Sequence, residues 1–118
     1  MHEMYIAECI LDAARRALPE TCAPEDVTHV TVRVGMLDAV VPDTLIYLFN
    51  AVKCSRGFAQ ANLEIEEEDV CCKCKSCSAA FSPKDALFVC PTCFSSSVTV
   101  IRGRGLTLME LTLNELEA

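Results

Sequence analysis

Two Cys-x-x-Cys turns, Cys74-Lys-Ser-Cys77 and Cys90-Pro-Thr-Cys93, lie twelve residues apart and constrain this chain more than any other feature. Each turn points two sulfurs at one centre, and two such turns complete the tetrahedron that zinc accepts. Tight Cys-x-x-Cys loops also leave backbone N–H groups free to hydrogen-bond the thiolates and offset their charge. Four filled positions leave no place for water, so the spacing predicts a structural, catalytically silent zinc. A pair of redox disulfides would need a thioredoxin-like βαβ context, which surrounds neither turn. Cys71 and Cys72 offer alternative ligands by slippage. Cys74-x-x-Cys77 ranks above them because it repeats the spacing of the second turn.

The rest of the chain must supply a fold from which this module can hang. Met4, Ala7, Leu11, Ala14 and Leu18 recur at steps of three and four, predicting an amphipathic helix that ends at Pro19. Val30, Val32 and Val34 then alternate with His29, Thr31 and Arg33, the period of a strand with one covered face ending at Gly35. A second helix is expected from Pro42, carrying Leu45, Leu48, Phe49 and Val52, with Gly57 as its stop. Leu63 and Ile65 alternate with Glu64 and Glu66, predicting a second strand with an acidic outer face. Composition changes at Val70, and the cysteine-rich stretch runs to about Arg102. Beyond Gly103 and Gly105, Leu106 to Leu113 is apolar on both faces apart from Glu110, which suits a strand in the middle of a sheet.

The expected class is α+β: a small mixed three-stranded sheet with two helices and an inserted zinc-ribbon-like module. Residues 1–69 and 104–118 would form the α/β domain, and residues 70–103 the zinc-binding module. A chain of 118 residues with 52% apolar side chains can build one such core, and a metal staple helps so small a domain.

Nine cysteines in a chain opening on His2 and Glu3, where a signal peptide would carry a basic region, point to a reducing compartment. The expectation is a cytoplasmic protein with no membrane span. A net charge of −7 argues against nucleic acid, since phosphates would be repelled. Lys73, Lys75, Lys84, Arg102 and Arg104 near the module form no broad basic stripe. Cys9, Cys22 and Cys54 read as small apolar packing residues or plain surface thiols, and His29 as a solvent-facing one. No His-x-x-x-His or carboxylate cluster suited to metal catalysis and no phosphate-cradling glycine loop is present, so no catalytic residues are expected and the chain does not read as an enzyme.

Met1-His2-Glu3 suggests a second metal site. The terminal amine, the His2 amide and the His2 imidazole are three nitrogen donors on one short strip. With the amide deprotonated they close fused chelate rings in a plane, which suits Ni(II) or Cu(II) far better than zinc. Glu3 can add an amide nitrogen or a carboxylate.

These features in this order resemble the HypA/HybF nickel-insertion proteins of hydrogenase maturation. The likeness runs through Met1-His2-Glu3-Met4, the strand ending at Gly35, Pro42-Asp43 leading into Leu45 and Phe49, Cys74-x-x-Cys77, Phe81, Cys90-Pro-Thr-Cys93, and Gly105 to Leu111. It departs at Ser78, where the family commonly has Gly, and in the extra thiols Cys71 and Cys72. The resemblance implies Ni(II) held at the N-terminus by His2 with Glu3 assisting, and Asp43 as a nearby acidic ligand. It also implies delivery to the large subunit of a nickel–iron hydrogenase in partnership with a maturation GTPase, with urease maturation proteins as further partners for some members. The competing expectation is a zinc-ribbon interaction module without nickel transfer.

Overall fold

The computed structural model describes residues 2–83 and 87–114. In chain order the elements are helix α1 (His2–Ala17), strand β1 (Val27–Gly35), helix α2 (Pro42–Val52) and strand β2 (Asn62–Glu68). They are followed by strands β3 (Cys71–Cys74), β4 (Ala80–Phe81), β5 (Val98–Arg102) and β6 (Leu106–Leu113). No helix among the described residues is long and apolar enough to cross a membrane. The chain divides into two compact units, one of Met1–Arg33, Val40–Glu66 and Thr107–Ala118, the other of Val34–Ala39 and Glu67–Leu106.

In the first unit, α1 buries Ala7, Ile10, Leu11 and Ala14, the stripe its sequence marks out. Glu3 in its first turn and Arg15 and Arg16 in its last complement the helix dipole. Helix α1 packs against α2, which buries Leu45 and Phe49 one turn apart. A 3-10 turn, Lys53–Arg56, continues α2 and ends at Gly57, whose φ of 89° is a conformation glycine adopts without strain. The core also contains Val27, Val30 and Val32 of β1, together with Phe58, Ala61 and Leu63. Each large apolar side chain buried there contributes about 1.5–3 kcal/mol. Arg56 pairs with Asp12 of α1, and Arg15 donates to the Arg56 carbonyl, so polar contacts close the rim of the helix pair.

The main sheet has the order β2-β1-β6. The contacts His29–Glu64 and Arg33–Glu66 advance together along β1 and β2, so these strands run parallel. Helix α2 supplies the crossover that a parallel pair requires. Asn114 N donates to Asp26 O and Thr28 Oγ1 to Thr112 O, so β6 runs antiparallel to β1. The sheet is therefore mixed, as expected.

The place of β6 corrects the sequence reading. It lies at an edge, and β1 takes the middle. Leu106, Leu108, Leu111 and Leu113 are half-buried, whereas Thr107, Met109, Glu110 and Thr112 are exposed. The half-buried leucines change from even to odd positions across Met109-Glu110. Each face therefore carries leucines that are only half covered, which suits an edge strand and not a fully buried central one.

The second unit is built on a small antiparallel sheet of order β4-β3-β5. Cys72 pairs with Phe81 on one side and Val100 on the other, and Cys74 pairs with Val98. The segment Val34–Ala39 joins this unit through backbone bonds from Gly35 N to Gly105 O and Leu37 N to Gly103 O, both 2.9 Å. Gly103 has φ 101°, and a β-carbon there would overlap the Val70 backbone. This close approach of two backbones requires glycine.

Candidate metal centres

The Sγ atoms of Cys74, Cys77, Cys90 and Cys93 all lie within 4.8 Å of one another. Two sulfur pairs join the turns, Cys74 to Cys93 and Cys77 to Cys90, each at 3.6 Å. The turns are copies in their backbone bonding. Ser78 N donates to Cys74 O (3.0 Å) and Phe94 N to Cys90 O (2.8 Å). Cys74 N donates to Ala79 O and Cys90 N to Ser95 O, both 2.9 Å. Ser76 Oγ donates to Ser95 Oγ at 3.2 Å, tying one turn to the other. The first cysteine of each turn is buried and the second exposed.

Reversing the chain so tightly puts the residue after each second cysteine in the left-handed region, Ser78 at φ 67° and Phe94 at φ 60°. Neither is glycine, so both carry strain. The sequence signal for it was present, since both follow the second cysteine of a Cys-x-x-Cys turn.

Backbone amides aim at the sulfurs. Ser76 N lies 3.3 Å and Cys77 N 3.4 Å from Cys74 Sγ, and Thr92 N lies 3.4 Å from Cys90 Sγ. The amides of Cys77 and then Ser76 pull the Cys74 thiol down to about 6 against the desolvation that opposes them. The amides of Cys93 and Thr92 lower Cys90 likewise. At Cys93 the Ser95 amide also pulls down, but the Cys74 sulfur, desolvation and the other two thiols outweigh it and push Cys93 up to about 12. Cys77 is raised in the same way: the Ala79 amide favours the thiolate, while the Cys90 sulfur and desolvation together oppose it. Four sulfurs this close cannot all ionise unaided. A divalent cation at their centre supplies the missing charge, so the donor set fits a closed four-sulfur metal site.

Cys71 and Cys72 stand outside this group. Cys72 is fully buried, and desolvation followed by the neighbouring Cys71 raises its thiol. Its side chain serves as packing inside the small sheet. Of the other cysteines, Cys9 and Cys22 are half-buried, and Cys54 is exposed. Cys54 is therefore a surface thiol, within the packing-or-surface expectation for these three cysteines. Helix α2 stops at Val52, and the 3-10 turn that follows rotates residue 54 off the buried stripe.

At the other candidate centre, His2 is exposed and opens α1. The Oε2 of half-buried Glu3 accepts a 3.2 Å hydrogen bond from Val41 N, the residue that caps α2. This bond holds the Glu3 carboxyl below its ordinary value, against a smaller opposing effect of desolvation. Asp43 is exposed in the first turn of α2, two residues beyond Val41. The bond thereby joins the helix start that carries His2 to the one that carries Asp43. Met1 lies outside the described residues. His29 is about two-fifths exposed, with Nδ1 3.2 Å from Thr28 Oγ1 and Nε2 3.9 Å from Glu64. Among the described residues it belongs to no group of metal-binding side chains.

Residues 1–113 match the family described as "Hydrogenase/urease nickel incorporation, metallochaperone, hypA". The chain belongs to the HypA family. It is 40% identical over 111 residues to the hydrogenase maturation factor HypA of Desulfatibacillum aliphaticivorans, covering 94% of this chain and 85% of that protein. With the hydrogenase maturation factor HypA of Desulfosudis oleivorans it shares 37% over 115 residues, covering 98% of this chain and 100% of the relative. A solution structure of the Ni metallochaperone HypA from Helicobacter pylori superposes with a TM-score of 0.68 at 24% identity, over 95% of this chain and 97% of that one. The structural likeness shows the same fold. Membership in the HypA family makes this protein a nickel metallochaperone of hydrogenase maturation, and its four-cysteine cluster is a metal-binding group.

Proposed function

We propose that this HypA protein carries Ni(II) at its N-terminus on the Met1 amine, the His2 amide and the His2 imidazole, with Glu3 assisting and Asp43 as an acidic ligand. Cys74, Cys77, Cys90 and Cys93 hold a structural zinc. Nickel passes to the large subunit of a nickel–iron hydrogenase in the cytoplasm, in partnership with a maturation GTPase, and no catalytic step is assigned to the chain. Residues 1–69 and 104–118 serve as the nickel-binding domain and residues 70–103 as the zinc module.

The observation that carries this reading is that His2 and Glu3 stand in the first turn of α1. The first amides of a helix have no partners within it. The His2 and Glu3 amides are therefore open to deprotonation and metal binding without breaking a helical bond. Planar nitrogen donors of this kind select Ni(II) over zinc, while the four-sulfur group selects zinc. A site made mostly from a chain terminus and one imidazole also comes apart easily, as a carrier must. Its affinity falls in acid because protons compete for every donor.

X-ray absorption on protein loaded with both metals tests the division of labour. The expected result is four sulfurs at the zinc edge and only nitrogen or oxygen neighbours at the nickel edge. Sulfur at the nickel edge would move the cargo to the cysteines and overturn the reading. Zinc bound with no nickel at all would leave a zinc-ribbon interaction module as the better account. Transfer is tested by adding the nickel-loaded protein and the GTPase to nickel-free hydrogenase large subunit and following nickel in the subunit.

A further inference from the structure

The start of α2 lacks a cap of its own. Val41 occupies the capping position in an extended conformation (φ −89°, ψ 111°), and its carbonyl accepts the first helical bond from Leu45 N at 3.0 Å. A valine side chain has no oxygen with which to cap, and Pro42 behind it has no N–H. The Val41 amide points out of the helix and takes its acceptor from the second residue of α1, 38 positions earlier in sequence.

We propose that Glu3 is a positioning residue whose side chain clasps the start of α2, which carries Asp43, to the start of α1, which carries His2, through the Val41 amide, instead of giving its carboxylate to nickel. This rests on the nickel reading of the N-terminus. The Oε2 atom is already committed to an amide donor at 3.2 Å, and without that bond the amide at the mouth of the helix turns to water and the two helix starts lose their tie. The clasp fixes one end of Val41-Pro42-Asp43, a segment stiffened by proline. The start of α2 that carries Asp43 is thereby held in a restricted arrangement, and Asp43 loses less freedom on binding the cation.

Side-chain reach and an acceptor oxygen are what the clasp requires; charge is secondary. Glu3→Gln keeps both, Glu3→Asp loses reach, and Glu3→Ala loses everything. In metal-free protein, the Val41 amide proton should be protected from exchange in wild type and Glu3→Gln, and unprotected in Glu3→Asp and Glu3→Ala. In nickel titrations, Glu3→Gln should stay within about threefold of wild type while Glu3→Ala loses about tenfold, the worth of one hydrogen bond to a charged group. That loss should vanish in an Asp43→Ala background, because the clasp acts through Asp43.

Equal losses in Glu3→Gln and Glu3→Ala would show that the charge itself is needed and overturn the proposal. So would an Ala variant that binds like wild type, or losses that simply add with Asp43→Ala. The Val41 exchange measurement contains no nickel. It decides whether the clasp exists even if His2→Ala binds nickel as well as wild type and the N-terminal site fails.

Discussion

Ser78→Gly should tighten the four-cysteine site. A non-glycine residue in the left-handed region pays about 1–2 kcal/mol for the approach of its β-carbon to the following carbonyl. Ser78 sits there at φ 67° with an exposed side chain. Its structural role is the N–H bond to Cys74 O, which glycine keeps. Glycine also loses about 0.5–1 kcal/mol more conformational freedom on folding, which subtracts from the gain. The net is about 0.5–1 kcal/mol in favour of the variant, equivalent to about two- to fivefold tighter zinc binding. Competition against a chromophoric chelator at fixed pH reads this directly, with Ser78→Ala as the control because alanine keeps the β-carbon and the strain. A Gly variant that binds no better than wild type, or an Ala variant that gains equally, would refute the strain argument.

Four other outcomes follow from particular contacts. Cys72→Ser buries a hydroxyl in the small sheet and should cost about 1–3 kcal/mol in denaturant titrations while metal analysis still finds one zinc per chain. Cys74→Ser should lose the metal, which the same metal analysis reads. Gly103→Ala adds a β-carbon into the Val70 backbone at φ 101° and should destabilise by about 3 kcal/mol or more, seen in thermal scans. The Glu3 carboxyl is held below its ordinary value of 4.5, so the stability it contributes is complete above that pH and is lost as pH falls through the lowered value. Protection of the Val41 amide, its intrinsic exchange rate divided by the observed one at each pH, should therefore persist past 4.5 and fall only below it.

Much of the fold was legible because its periodic elements repeat a local rule. Pro19, Gly35, Pro42 and Gly57 punctuate the chain close to where the elements stop or start, and the apolar steps of α1, β1 and α2 name their buried faces. The four cysteines were readable because their spacing alone brings the sulfurs of each pair together. Less local features left no such trace. The β3–β5 ladder rests on pairings such as Cys72 with Val100, residues far apart in sequence with no shared period. The edge position of β6 was hidden by leucines that change parity at Met109-Glu110. The Glu3–Val41 bond joins two helix starts that only tertiary packing brings together. Strain at Ser78 and Phe94 was half-visible: their place after each second cysteine was readable, but their dihedral angles were not.

The central claim is that nickel sits at the N-terminus, apart from the cysteines. Calorimetric titration of Ni(II) into zinc-loaded protein carrying no N-terminal tag, with His2→Ala alongside, tests it most directly. The account predicts one nickel per chain in wild type and loss of that binding in the variant, with zinc content unchanged in both. Equal nickel binding by the two proteins would contradict it.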